Sequence, residues 1–113
     1  MEALATAAML ANVDVSAQVV LSLQGNFERR VIEYRCEGIE VPLYVDYINA
    51  APNFLAIVPV IDHKLVFVAT LSGSGVRYVS GNWEFWTKGT EATLTDLTEQ
   101  QGPFACEEFV ETP

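Results

Sequence analysis

Short runs of alternating apolar and polar residues fill most of the chain, each closed by a turn signal. Val41, Leu43, Val45 and Tyr47 alternate with Glu40, Pro42, Tyr44 and Asp46. This period of two predicts a strand with one apolar and one mixed face. Leu65, Phe67 and Ala69 alternate with Lys64, Val66 and Val68, so both faces of that run are apolar. Such a run predicts a strand covered on both sides. Val19–Leu23, Arg30–Cys36, Phe54–Val60, Val76–Ser80, Trp83–Lys88, Ala92–Leu97 and Phe104–Val110 supply the other predicted strands. Between them stand Gly25-Asn26, Glu37-Gly38, Asp62-His63, Ser80-Gly81-Asn82, Lys88-Gly89 and Gln101-Gly102-Pro103, all turn formers. Short, evenly spaced strands predict an all-β antiparallel sandwich or barrel, and the lack of long amphipathic helices between them excludes a βαβ layout. The one helical candidate is Glu2–Leu10, Ala-rich but too short to be stable alone.

Length and charge narrow the classes. With 113 residues, half of them hydrophobic, the chain forms one domain with a modest core. The organisation expected is an N-terminal extension over residues 1–17 and a β domain over 18–113. No run of 18 apolar residues is present, so no helical membrane span is predicted. Fifteen acidic residues against six basic ones give a formal charge of −9. That balance repels nucleic acid and anionic membranes and favours a cationic partner. Residues 3–11 are small and apolar, but no Lys or Arg precedes them, so they resemble a trimmed leader stub or a short helix more than a signal peptide. The two cysteines, Cys36 and Cys106, are either free thiols or a single disulfide. In a small β-rich chain the second reading fits better, and it places the protein in an oxidising compartment.

Candidate chemistry is sparse. His63 is the only histidine, sits beside Asp62 in a turn, and has no clustered ligands around it, so no metal or cofactor is expected. Ser72-Gly73-Ser74-Gly75 is neither a nucleophile elbow nor a phosphate loop, since the flanking residues those motifs need are absent. No catalytic set remains, and an enzyme is not expected. The same four residues do offer backbone freedom, two hydroxyls and little bulk. They read either as a plain hairpin turn or as a tip able to enter a narrow cleft. The aromatics that follow, Trp83, Phe85 and Trp86, read either as core and cross-strand packing or as a sugar-stacking surface. Residues 63–90 hold three cations (Lys64, Arg77, Lys88) and one acid (Glu84), a local +2 in an acidic chain. A cationic tip on an acidic body suits a basic partner with an acidic cleft.

Several pieces at defined spacing resemble a known family. They are Tyr34-Arg35-Cys36-Glu37-Gly38, Val45-Asp46-Tyr47, Ser72-Gly73-Ser74-Gly75-Val76-Arg77-Tyr78, Trp86-Thr87-Lys88-Gly89-Thr90-Glu91-Ala92-Thr93-Leu94, and Cys106. From about Glu33 to Phe109 the chain is similar to the MliC/PliC family of bacterial inhibitors of C-type lysozyme. The S-G-x-R-Y and W-x-K-G-x-x-A-x-L pieces are the specific ones. The resemblance implies a small antiparallel β-barrel of about eight strands, tied by a Cys36–Cys106 disulfide. It implies that the Ser72–Tyr78 loop, with Gly73, Gly75, Arg77 and Tyr78 around it, enters the lysozyme cleft. Ser74 and Lys88 would reach the catalytic carboxylates, with Arg77 and Tyr78 bracing or extending the contact. It further implies export to the periplasm, in the free PliC-like branch rather than the lipid-anchored one. Residues 1–30 lie outside the matching region, and either they or an exposed edge strand could pair two copies. A lipocalin-like barrel, with Trp83, Phe85 and Trp86 lining a cavity for a small apolar or sugar ligand, is the competing expectation.

Overall fold

The computed structural model describes residues 17–111. Eight strands follow one another: β1 Glu28–Cys36, β2 Leu43–Ala50, β3 Asn53–Val60, β4 His63–Thr70, β5 Val76–Ser80, β6 Trp83–Lys88, β7 Glu91–Asp96 and β8 Phe104–Glu108. Each pairs antiparallel with the next, and β8 returns to β1, so the sheet closes into a barrel. The expected fold class is therefore the observed one. β5 and β6 keep their predicted bounds; the other strands shift by one to three residues at their ends. The predicted helix at Glu2–Leu10 and nearly all of the N-terminal extension lie outside the described residues.

Period two sorts the side chains. Val45, Val58, Phe67, Phe85 and Leu94 point inward and are fully buried. Tyr34 and Phe67 each meet the Phe85 ring edge-on, with centroids 5.5 and 6.4 Å away. Burying a ring of this size contributes roughly 1.5–3 kcal/mol, so these few residues carry much of the stability. They also fill the space a lipocalin-like cavity would need. Trp83 and Phe85 do face the interior, but as packing. Trp86, one residue on, faces outward and is 41 % exposed, which corrects the expectation that all three line a cavity.

Cys36 and Cys106 are directly paired across β1 and β8 and joined by a disulfide with S–S 2.07 Å. They lock the seam at which the barrel closes. A cross-link spanning 70 residues of sequence stabilises by about 4 kcal/mol in the chain-entropy picture. The seam is short: β1 pairs with β8 only over Tyr34–Cys36, extended by the Phe109 amide donating to the Glu33 carbonyl at 2.9 Å. The first half of β1 has no β8 partner among the described residues.

Two expectations are corrected. Val19–Leu23 forms no strand; the segment is irregular and Val19 is 81 % exposed. Its residues take part in none of the barrel's ladders. β4 is not covered on both faces: Phe67 is buried, while Val66 and Val68 are half-exposed on the outer wall.

The connections set up the site. β2–β3, β3–β4, β5–β6 and β6–β7 turn through two residues each. β4 and β5 instead pair last at Thr70 and Arg77. The residues between them have no β4–β5 partner, although Val76 still pairs with Thr87 of β6. At the opposite end, Asp96 is buried and accepts hydrogen bonds from Asn82 Nδ2 (2.9 Å), the Thr98 amide (2.9 Å) and Thr98 Oγ1 (2.6 Å). These donors, the Thr98 hydroxyl first, hold its carboxyl below the usual carboxylate range. The clamp fixes the β5–β6 turn to the start of the β7–β8 connection.

Candidate functional site

The site lies at the barrel end where β4, β6 and β8 finish. The Leu71–Gly75 loop is exposed throughout, and Leu71 is 99 % exposed. Beside it, the β6–β7 turn carries Lys88. The register Val76↔Thr87 brings the two elements together. Ser72, Gly73, Ser74, Gly75 and Lys88 therefore share one end of the molecule, as the sequence suggested.

The loop is held at several points. Ser72 Oγ donates to the Ser74 carbonyl at 2.7 Å, and Trp86 Nε1 donates to the same carbonyl at 2.9 Å. Gly75 has φ +67°, and a Cβ placed there would lie 2.2 Å from the Thr87 carbonyl oxygen. Only glycine fits, because of both the left-handed backbone and the close approach. Among the described residues the Ser74 hydroxyl donates to nothing. Lys88 is exposed and has no ion-pair partner among them either. A hydroxyl and an ammonium are thus both unspent on a tip whose backbone is already tied down.

Arg77 and Tyr78 have different surroundings. Arg77 Nε donates to Glu84 Oε2, its Nη1 donates to Thr70 Oγ1 at 3.2 Å, and Thr70 Oγ1 donates to the Arg77 carbonyl at 3.1 Å. Its charge is neutralised in the ion pair, and it braces the root of the loop. Tyr78 points into the barrel and is buried, its ring 5.7 Å from that of Tyr47. Tyr34 and Tyr47 share a hydrogen bond of 2.6 Å beside it. Burial pushes all three phenols above their ordinary range, so they stay neutral at physiological pH. With Arg30, Asn49 and Glu108 they line a small polar hollow in the barrel mouth.

The local +2 of residues 63–90 does not act as one patch. Lys64 lies at the far end of β4, where it lines a surface hollow with Arg29, Tyr44 and Asp46, and Arg77 is paired. The cationic tip is Lys88. Sequence reasoning missed the Arg77–Glu84 pair and the contact of Trp86 with the loop. Odd-even parity places Trp86 outward, but nothing in a linear pattern shows which carbonyl its N–H meets. Among the described residues no cluster of His, Cys and carboxylates could hold a metal ion.

The described residues thus form a small, closed eight-stranded barrel with a filled interior that presents a tethered loop beside an exposed lysine. The family model for the membrane-bound lysozyme-inhibitor of c-type lysozyme, MliC, matches residues 34–101, and the chain belongs to that family. It is 43 % identical over 83 residues to the membrane-bound lysozyme inhibitor of C-type lysozyme of Pseudomonas aeruginosa, covering 70 % of this chain and 65 % of that protein. It is 39 % identical over 72 residues to the protein of the same description from Cupriavidus necator, covering 64 % of this chain and 57 % of that one. The matched region thus spans less than two thirds of either relative. Among solved structures, the chain is similar to Pseudomonas aeruginosa MliC in complex with hen egg white lysozyme. The TM-score is 0.71 and the identity 33 %, covering 87 % of this chain and 100 % of that one.

Proposed function

We propose that this protein inhibits C-type lysozyme by placing the Leu71–Gly75 loop and Lys88 in the catalytic cleft. The observation that carries the proposal is the pairing of an unspent Ser74 hydroxyl with an unpaired Lys88 ammonium on one tethered tip. Lysozyme cleaves with one protonated and one ionised carboxyl group. An ammonium matches the ionised group, and a hydroxyl donates to either without burying a second charge. Occupying them blocks substrate with no chemistry from the inhibitor. Leu71 adds apolar area at the rim, Arg77 stiffens the loop root from behind, and Tyr78 supports the mouth from inside. The family membership and the solved complex of a relative support the same partner. The test is a turbidity assay on bacterial cell walls, in which a stoichiometric excess of the protein slows C-type lysozyme. An undiminished rate would overturn the proposal.

The acidic body supports a basic enzyme as partner. Long-range attraction raises the association rate and is screened by salt, so association should slow as ionic strength rises. The buried disulfide and the relatives' membrane-bound descriptions support an envelope location, in the periplasm. Recovery in osmotic-shock fluid, against recovery in detergent-extracted membranes, separates the free form expected from the sequence from a membrane-held one. Pairing of two copies would use the unpartnered first half of β1. Light scattering that gives the monomer mass across the micromolar range would remove that idea.

A further inference from the structure

We propose that Trp86 is the positioning residue of the inhibitory loop: its indole N–H holds the Ser74 carbonyl so that the loop is folded before any partner arrives. The inference rests on the inhibitor reading for its biological meaning, but its geometry stands in the free protein. Trp86 is on the outer face of β6 and 41 % exposed, so it contributes little to the core. What it does contribute is the 2.9 Å hydrogen bond to Ser74. The space around Gly75 points the same way. The ideal Cβ position of Gly75 lies 3.0 Å from Trp86 Nε1 and 2.2 Å from the Thr87 carbonyl. The loop backbone is therefore seated directly on the indole edge and the adjoining β6 backbone.

The rest of the surroundings makes Trp86 itself stiff. Arg77 lies directly opposite it across β5 and β6, and Arg77 is tied to both Glu84 and Thr70. The indole thus projects from a braced stretch of sheet onto a loop with no regular hydrogen-bonding pattern of its own.

Two consequences follow for binding. A loop ordered in advance loses less conformational freedom on docking, which is the usual source of gain from preorganisation. The Ser74 carbonyl is also protected. Docking in a narrow cleft strips water from the loop, and a carbonyl left without a donor there weakens the complex. Trp86 Nε1 and Ser72 Oγ both donate to it already. Losing one donor should weaken inhibition about three- to tenfold, and losing both should weaken it by more than the product of the single effects.

The experiment uses Trp86→Phe, Ser72→Ala and the double variant, with two readouts. The first is amide hydrogen exchange across residues 71–76 in the free protein. The second is the inhibition constant against C-type lysozyme. Trp86→Phe keeps an aromatic ring on the wall and removes the N–H, and an unchanged melting temperature confirms the fold. The expected result is faster exchange at Ser74 and Gly75 together with weaker inhibition, and a more-than-multiplicative loss in the double variant. Unchanged exchange in Trp86→Phe overturns the proposal whatever lysozyme does. Faster exchange with an unchanged inhibition constant overturns the positioning role. If the unmodified protein fails to inhibit lysozyme, the inhibitor reading falls, while the exchange readout still decides whether Trp86 holds the loop.

Discussion

Gly75→Ala separates the loop's shape from the stability of the barrel. At φ +67° an alanine is in the left-handed region, at a cost of roughly 1–2 kcal/mol. The added methyl would also meet the Thr87 carbonyl oxygen at 2.2 Å, and that oxygen is backbone inside a paired strand. The loop must therefore lift away from β6. In doing so it loses the alignment of Ser74 with Lys88. A hydrogen bond to a charged group contributes roughly 1.5–3 kcal/mol, so losing the one Ser74 makes should weaken inhibition about ten- to a hundredfold. Stability should fall by no more than the backbone strain, since Leu71–Gly75 is exposed and buries no core. Gly73 is the matched control. A Cβ there meets nothing within 4 Å and its backbone is not left-handed. Gly73→Ala should leave melting unchanged and weaken inhibition less than Gly75→Ala, because it adds bulk to the tip without forcing the loop off β6. The assay is a pair of titrations of lysozyme-driven wall lysis with thermal melts of each variant. Equal inhibition by Gly75→Ala and the unmodified protein, or an equal loss in both variants, would refute the reasoning.

Lys88→Ala should weaken inhibition tenfold or more without moving the melting temperature, because the ammonium pairs with nothing among the described residues; calorimetric titration against lysozyme checks the first and a thermal melt the second. Leu71→Ser should weaken binding several-fold, again at constant stability, since Leu71 is 99 % exposed in the free protein and is proposed to supply rim contact. Replacing Cys36 and Cys106 by serine together should lower stability by about 4 kcal/mol, read from denaturant midpoints, because the cross-link spans 70 residues. Asp96→Asn removes a carboxylate whose folded-state pKa is depressed by Thr98 and Asn82. Its contribution is present above the unfolded value near 3.8 and is lost as pH falls through the lower folded value. The melting-temperature gap between the unmodified protein and Asp96→Asn should therefore be widest near neutral pH and shrink in acid.

The barrel was largely legible in the linear pattern. β5 and β6 are bounded as predicted because Gly81-Asn82 fits one tight turn between two short alternating runs. Val19–Leu23 misled because composition reports strand propensity but not whether any strand pairs with the segment. The outer face of β4 misled for a related reason: Val66 and Val68 are as apolar as buried residues, and only the closed topology shows that they face outward. The site was legible in part. Ser74 and Lys88 stood out through motif resemblance, but their closeness depends on the register Val76↔Thr87, which no spacing rule supplies. The role of Arg77 was obscured because its partner Glu84 lies seven residues away across a hairpin. Tyr78 stood beside it in the motif, yet strand parity turns it into the barrel.

The most direct test of the central claim is a titration of C-type lysozyme with this protein, following lysis of bacterial walls at low salt. The account predicts that activity falls in proportion to added protein until one loop is present per enzyme, and that Lys88→Ala and Gly75→Ala shift the curve to higher concentration, Gly75→Ala further than Gly73→Ala. Full lysozyme activity at stoichiometric excess, or inhibition indifferent to both Lys88→Ala and Gly75→Ala, would contradict it.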